Sequence, residues 1–181
     1  MKWIELKKVG AWTFFFGLII LFLNIAWVFS INGCGGNEFN ETLGVTDPCG
    51  SKTGIVVRVL DGDTVELKDG RKIRYLHVDT PEISRSENKE SDCFGDEAKK
   101  LNTELVLNKT VDLEYDLNCY DMFSRTLAFL SIDGRMINKV LIERGYGELM
   151  IILPNNKYEE EFEVLEEEAR ENRAGIWGLC Q

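Results

Sequence analysis

The chain lacks the C-x-x-C and C-x-x-H spacings of structural zinc sites, so its cysteines do not read as a metal framework. It has no EF-hand loop. Counted from Asp61 the twelfth position is Lys72, and counted from Asp63 it is Arg74, where such a loop needs Glu. No internal repeat is visible. Positive charge is short: 21 Lys and Arg stand against 31 Asp and Glu, a net charge of −10. That balance is the wrong sign for long-range attraction to a polyanion. Much of the excess lies in one late stretch, Tyr158 to Glu171, which reads as the solvated face of a helix. Glu166 and Arg170 there have the i,i+4 spacing that stabilises such a face.

Apolar sequence is concentrated at the start. Ala11 to Ile31 is nearly unbroken, preceded by Lys2, Lys7 and Lys8, and no Lys or Arg follows until Lys52. About 20 such residues span a bilayer as a helix, and the lysines place the N-terminus inside. The run is longer than a secretory h-region, which favours an uncleaved anchor at residues 1–31. The alternative is lipidation at Cys34 in Ile31-Asn-Gly33-Cys34. Either one tethers the remainder to the cell membrane, facing outward; cleavage would secrete it. Residues 32–52, rich in Gly, Asn, Thr and Glu, read as a linker, and residues 53–181 as the folded domain. With Cys34 set aside, Cys49, Cys93, Cys119 and Cys180 are an even set in an oxidising compartment, enough for two disulfides.

Within the domain, Gly54–Leu60 is β-branched and reads as a strand, followed by the Asp61-Gly-Asp63 turn and a strand over Thr64–Leu67. Asp69-Gly70 suggests a type I′ hairpin, with a return strand over Lys72–Val78. Gly95–Leu107 is helical by period. Thr110–Asp116 and Thr126–Ile132 read as strands, and Met136–Arg144 as a short helix closed by Gly145. A last helix, capped by Asn155 or Asn156, aligns Tyr158, Phe162, Leu165 and Ala169. Five strands with a helix between the third and fourth make a β-barrel with helices of the OB-fold class, here preceded by an N-terminal hydrophobic helix.

Asp63, Asp79 and Glu82 are three carboxylates around one short β-rich segment, and Arg74 lies among them. Carboxylates gather a hard cation and a guanidinium grips phosphate, a combination suited to cutting a phosphodiester. Each piece alone has a plainer reading as a turn, a cap or a surface ion pair. Taken together and in order, the motifs resemble the staphylococcal nuclease (thermonuclease) family. The matching pieces are Val59-Leu-Asp61-Gly-Asp63-Thr-Val65, Arg74 to Glu82, Phe94-Gly95-x-Glu97-Ala98, Asp121-x-x-x-Arg125, Pro154-Asn-Asn156 and Ile176-Trp177. The resemblance implies a Ca2+-dependent nuclease acting on DNA and RNA, single strands preferred, leaving 3′-phosphate ends, in a monomeric domain. It implies Asp63 and Asp79 as metal ligands, with Thr80 contributing its backbone carbonyl. It implies Glu82 beside the attacking water, and Arg74 and Arg125 on the phosphate. The only histidine, His77, reads as a strand residue that this chemistry does not use.

Two departures stand out. Where the family carries two tyrosines before Pro-Asn-Asn, this chain has Met150 and Ile152, and its Tyr-Gly before the second arginine is Phe123-Ser124. Weaker substrate binding than in basic relatives is expected. A Cys93–Cys119 bond would pin both site loops together, with Cys49–Cys180 tying the domain ends. The rival readings are a non-catalytic single-strand-binding OB module and an envelope protein merely stabilised by calcium.

Overall fold

Strand β1 (Thr53–Val59) exposes both Val57 and Arg58 because a bulge interrupts its pairing with β2 between Val56 and Arg58. This breaks the alternation that a regular strand would show. The computed structural model describes residues 47–84 and 90–180. The predicted N-terminal hydrophobic helix, and with it the 1–31 anchor, lies outside the described residues. Among those described, no helix is long and apolar enough to cross a membrane.

β2 (Thr64–Leu67) and β3 (Lys72–Tyr75) complete an antiparallel meander with β1. The hairpin between them is not type I′. Gly70 takes φ +90 while Asp69 does not turn positive, and the Gly70 amide donates to the Leu67 carbonyl. The Leu67 amide donates to Arg71 across the turn, as in a three-residue loop with a glycine bulge. The two-residue turn with positive φ at both positions occurs at Asp133-Gly134 instead.

β4 (Thr110–Glu114) pairs with β1, and β5 (Thr126–Ile132) pairs antiparallel with β4 and parallel with β3. The β3–β5 pairing closes a five-stranded barrel, the expected OB architecture. The barrel interior on one face and the helix over Ile137–Glu143 on the other explain why Thr126 to Leu130 is continuously buried rather than alternating. A two-residue β6 (Arg135–Met136), unforeseen in the sequence, extends β5.

Helix α1 (Gly95–Val106) packs on β1, α2 (Ile137–Glu143) on β5, and α3 (Glu159–Glu171) on α2; the four-residue α4 (Ile176–Leu179) ends the described chain. α3 buries Phe162 and Ala169 and leaves most of its glutamates in water, as the pattern required. Its cap is neither Asn155 nor Asn156 but Tyr158. Asn155 is buried and exchanges hydrogen bonds with the backbone of Asn118, accepting at 2.7 Å and donating at 3.2 Å. The disulfides are Cys49–Cys119 and Cys93–Cys180, not the pairs expected above. Chain position does not report that Cys119 comes to lie beside the entry to β1, or that α4 brings Cys180 to the start of α1.

Candidate active site

Arg74 lies in β3, which ends at Tyr75. The residue is 3 % exposed, and its guanidinium meets carboxylates on two sides. One terminal nitrogen is 3.1 Å from Asp63 Oδ2 and the other is 2.7 Å from Asp79 Oδ1. It also donates to the carbonyls of Tyr75, at 3.1 Å, and Val78. A buried guanidinium needs this many acceptors, and the convergence of two like charges needs the cation between them.

Asp63 sits in the turn between β1 and β2, buried, and each of its oxygens is occupied. Oδ1 accepts from the Thr64 hydroxyl at 2.9 Å; Oδ2 accepts from the Thr80 amide at 2.9 Å and the Thr80 hydroxyl at 3.1 Å. Burial pushes the Asp63 carboxyl up to about 6, with Asp61 adding to the rise and Arg74 and the Thr80 amide opposing it. Gly62 makes the approach of this turn to Thr80 possible: a Cβ there would stand 2.6 Å from the Thr80 hydroxyl oxygen.

Asp79 has a half-exposed side chain, and its backbone is fixed by reciprocal hydrogen bonds with Glu148 at 2.9 and 2.8 Å. Asn102 belongs to none of the sequence motifs. It is fully buried on α1, accepts from the Tyr75 hydroxyl at 2.9 Å and donates to the Asp61 carbonyl at 3.2 Å. It thereby holds the carboxylate-bearing turn to the barrel wall. Its only signal would have been a polar residue on the apolar face of a helical pattern.

Four of the six expected residues, Asp63, Arg74, Asp79 and Thr80, therefore form one bonded cluster. Glu82 lies three residues past Asp79 with its side chain exposed. Arg125 immediately precedes β5, whose Leu127 is the register partner of Arg74. That stagger puts the two arginine backbones about 8 Å apart. Asp121 organises the Arg125 loop, accepting from the Arg125 amide at 2.9 Å and from Nε at 2.6 Å, and the guanidinium lies 5.4 Å from the centre of the Phe123 ring. Tyr120, Met122, Phe123 and Leu153 are all exposed, while Met150 and Ile152 are half-buried.

His77 is not in a strand. It follows β3 with φ +61, and its ring is packed edge-on against Phe129 and Phe162 at 5.1 and 5.3 Å. Nε2 donates to the Lys157 carbonyl at 2.7 Å, and burial holds the imidazole below its ordinary pKa. A neutral ring facing the aromatic core has no part in the acidic cluster.

Among the described residues, no three His, Cys, Asp or Glu side chains converge closely enough to hold a metal alone. A cation at Asp63 and Asp79 would complete its shell with carbonyl and water oxygens, which a hard ion accepts. The donor set fits: it is all oxygen, and it carries more negative charge than Arg74 offsets.

A closed OB barrel with acid and arginine gathered at the exits of β1 and β3 defines a class of site suited to a phosphate ester. Residues 72–178 match the model of the family described as staphylococcal nuclease homologue, and the chain belongs to that family. It is 34% identical over 155 residues to "Endonuclease YncB" of Bacillus subtilis (strain 168), covering 78% of this chain and 72% of that protein. It is 35% identical over 125 residues to "Thermonuclease" of Staphylococcus hyicus, covering 67% and 73%. "Uncharacterized protein MJ1439" of Methanocaldococcus jannaschii (strain ATCC 43067 / DSM 2661 / JAL-1 / JCM 10045 / NBRC 100440) is 34% identical over 148 residues, covering 68% and 70%.

Proposed function

We propose that this chain is a nuclease that hydrolyses phosphodiesters of DNA and RNA with calcium, releasing 3′-phosphate ends. The observation that carries the reading is Arg74, buried between Asp63 and Asp79 at the mouth of the barrel. Two relatives named as an endonuclease and a thermonuclease support it.

In this reading Asp63, Asp79 and the Thr80 carbonyl hold the ion. Calcium, when bound, polarises a phosphoryl oxygen and lowers the pKa of a nearby water. Glu82 orients the attacking water and takes its proton as the new O–P bond forms. Arg74 and Arg125 donate to the phosphoryl oxygens, where negative charge grows as the bond to the 5′ oxygen breaks. That oxygen leaves as a hydroxyl after taking a proton from solvent. The exposed Tyr120 and Phe123 rings beside Arg125 favour a substrate with free base faces, hence a single strand. We place the enzyme at the outer face of the membrane, tethered through residues 1–31.

The test is cleavage of a single-stranded DNA by the full chain with calcium or with chelator. Turnover that needs calcium, and that falls about 100-fold or more in Glu82→Gln and in Arg125→Ala, is expected. Binding without cleavage would instead favour a non-catalytic module.

A further inference from the structure

The backbone of Glu82 is held by the turn that opens α1. The Asp92 amide donates to the Glu82 carbonyl at 2.9 Å, and the Ser84 amide to the Ser91 hydroxyl at 3.1 Å. A Cβ on Gly95 would come within 2.9 Å of the Glu82 carbonyl oxygen and 3.0 Å of that of Pro81, so residues 81–82 lie directly against this turn. The turn is not one that the chain adopts readily. Phe94 takes φ +70, and α1 begins there with no side-chain cap. Such a conformation persists only where its surroundings over-determine it. Two contacts do so here. The Phe94 ring packs on Tyr146 at 4.9 Å, and Cys93 is bonded to Cys180. The far end of that bond is anchored as well: the Ile176 amide donates to the Gly145 carbonyl at 2.9 Å, and Arg170 lies 3.9 Å over the Trp177 ring.

We infer that the Cys93–Cys180 disulfide positions Glu82 through the Asp92–Gly95 turn, so that reducing this one bond switches off the hydrolysis proposed above, on which the inference rests. The two disulfides are not equivalent. Cys49 is 4 % exposed and its partner Cys119 is half-buried, whereas Cys93 is open to solvent, so a thiolate reaches Cys93–Cys180 first. A dithiol attacks one sulfur to give a mixed disulfide. Its second thiol then closes on the first, leaving a cyclic disulfide and two cysteine thiols on the protein; two electrons and two protons pass to the chain. Phe94 is then free to leave its left-handed conformation, the Asp92 amide parts from the Glu82 carbonyl, and the carboxylate loses its place. The site is thus complete only in oxidising surroundings. The chain stays idle wherever thiols are kept reduced, which spares the nucleic acid of the compartment in which it is made.

The test uses the full oxidised chain, calcium and a single-stranded DNA oligomer, with limited dithiothreitol. Alkylation and peptide mapping verify that Cys93 and Cys180 are reduced while Cys49–Cys119 stays closed. We expect kcat to fall about tenfold or more with KM little changed, and activity to return on reoxidation. Hydrogen exchange at the Asp92 and Gly95 amides should quicken while the barrel strands stay protected. In Glu82→Gln the residual cleavage should not fall further on reduction, and a Cys93→Ser/Cys180→Ser double variant should match the reduced chain. Unchanged kcat after mapped reduction would overturn the inference, and so would an equal loss in the Glu82→Gln background, which marks a general structural role. Absence of turnover in the oxidised chain would sink the hydrolase reading instead. The exchange rates would then still decide whether the disulfide holds the Glu82 segment.

Discussion

Arg74 is 3 % exposed, and a guanidinium is buried this deeply only where acceptors replace its water. Its acceptors are the two site carboxylates and two carbonyls, so the side chain that would grip a phosphate also holds the site together. Asp63 shows the cost of this arrangement. Its folded pKa of about 6 lies above its ordinary 3.8, so burying the anion costs stability at neutral pH. For a raised carboxyl that cost is present above the folded value and fades as pH falls from about 6 towards 3.8. Removing Arg74 leaves the Asp63 anion without its cation. Arg74→Ala is therefore expected to lose about 3 kcal/mol at pH 7.5, and distinctly less at pH 5, where Asp63 is protonated with or without its partner. Urea unfolding at the two pH values measures the difference; an equal loss at both would mean that the pair is not electrostatic in origin.

At the scale of elements, the loop before β5 carries a strain that the sequence announces only by contrast. Ser124 takes φ +61 at the position where the resembled family carries Gly. A left-handed conformation costs an ordinary L-residue about 1–2 kcal/mol, part of which Gly returns through greater freedom when unfolded. Ser124→Gly is expected to stabilise the domain by about 0.5–1 kcal/mol, seen as a higher denaturant midpoint at unchanged slope; destabilisation would show that the serine makes a compensating contact. Much of the fold was legible because the barrel strands carry short alternating or continuous apolar patterns between turn residues, and the longer helices carry an apolar stripe. Of the six candidate residues read from the sequence, Asp63, Arg74, Asp79 and Thr80 are bonded into one cluster. What was not legible depends on distant partners. His77 ends β3 early because its ring turns into the aromatic core. Asn155 leaves the cap of α3 to brace Asn118, and Asn102 braces the Asp61 turn from a helix some 40 residues away. The disulfide pairs differ from the expected ones for the same reason: their neighbours belong to the closed barrel and not to the spacing of the chain.

For the whole molecule, the net charge of −10 sets how the substrate is met. A basic nucleic-acid binder loses affinity steeply as salt displaces its counterion release. Here long-range repulsion is screened by the same salt, while the contacts proposed at Arg74, Arg125 and the exposed Phe123 and Tyr120 rings would be local. KM for single-stranded DNA is therefore expected to change by no more than about twofold between roughly 20 and 150 mM salt. A steep rise across that range would reveal an electrostatic footprint that the acidic composition does not suggest. The central claim is that acid and arginine at the barrel mouth form one centre for a cation and a scissile phosphate. A crystal structure of the full-length Glu82→Gln variant with calcium and a short single-stranded oligonucleotide tests it most directly. The account predicts a cation about 2.3–2.6 Å from oxygens of both Asp63 and Asp79, with one phosphate held by Arg74 and Arg125. A cation bound elsewhere, or a phosphate that neither arginine touches, would contradict it.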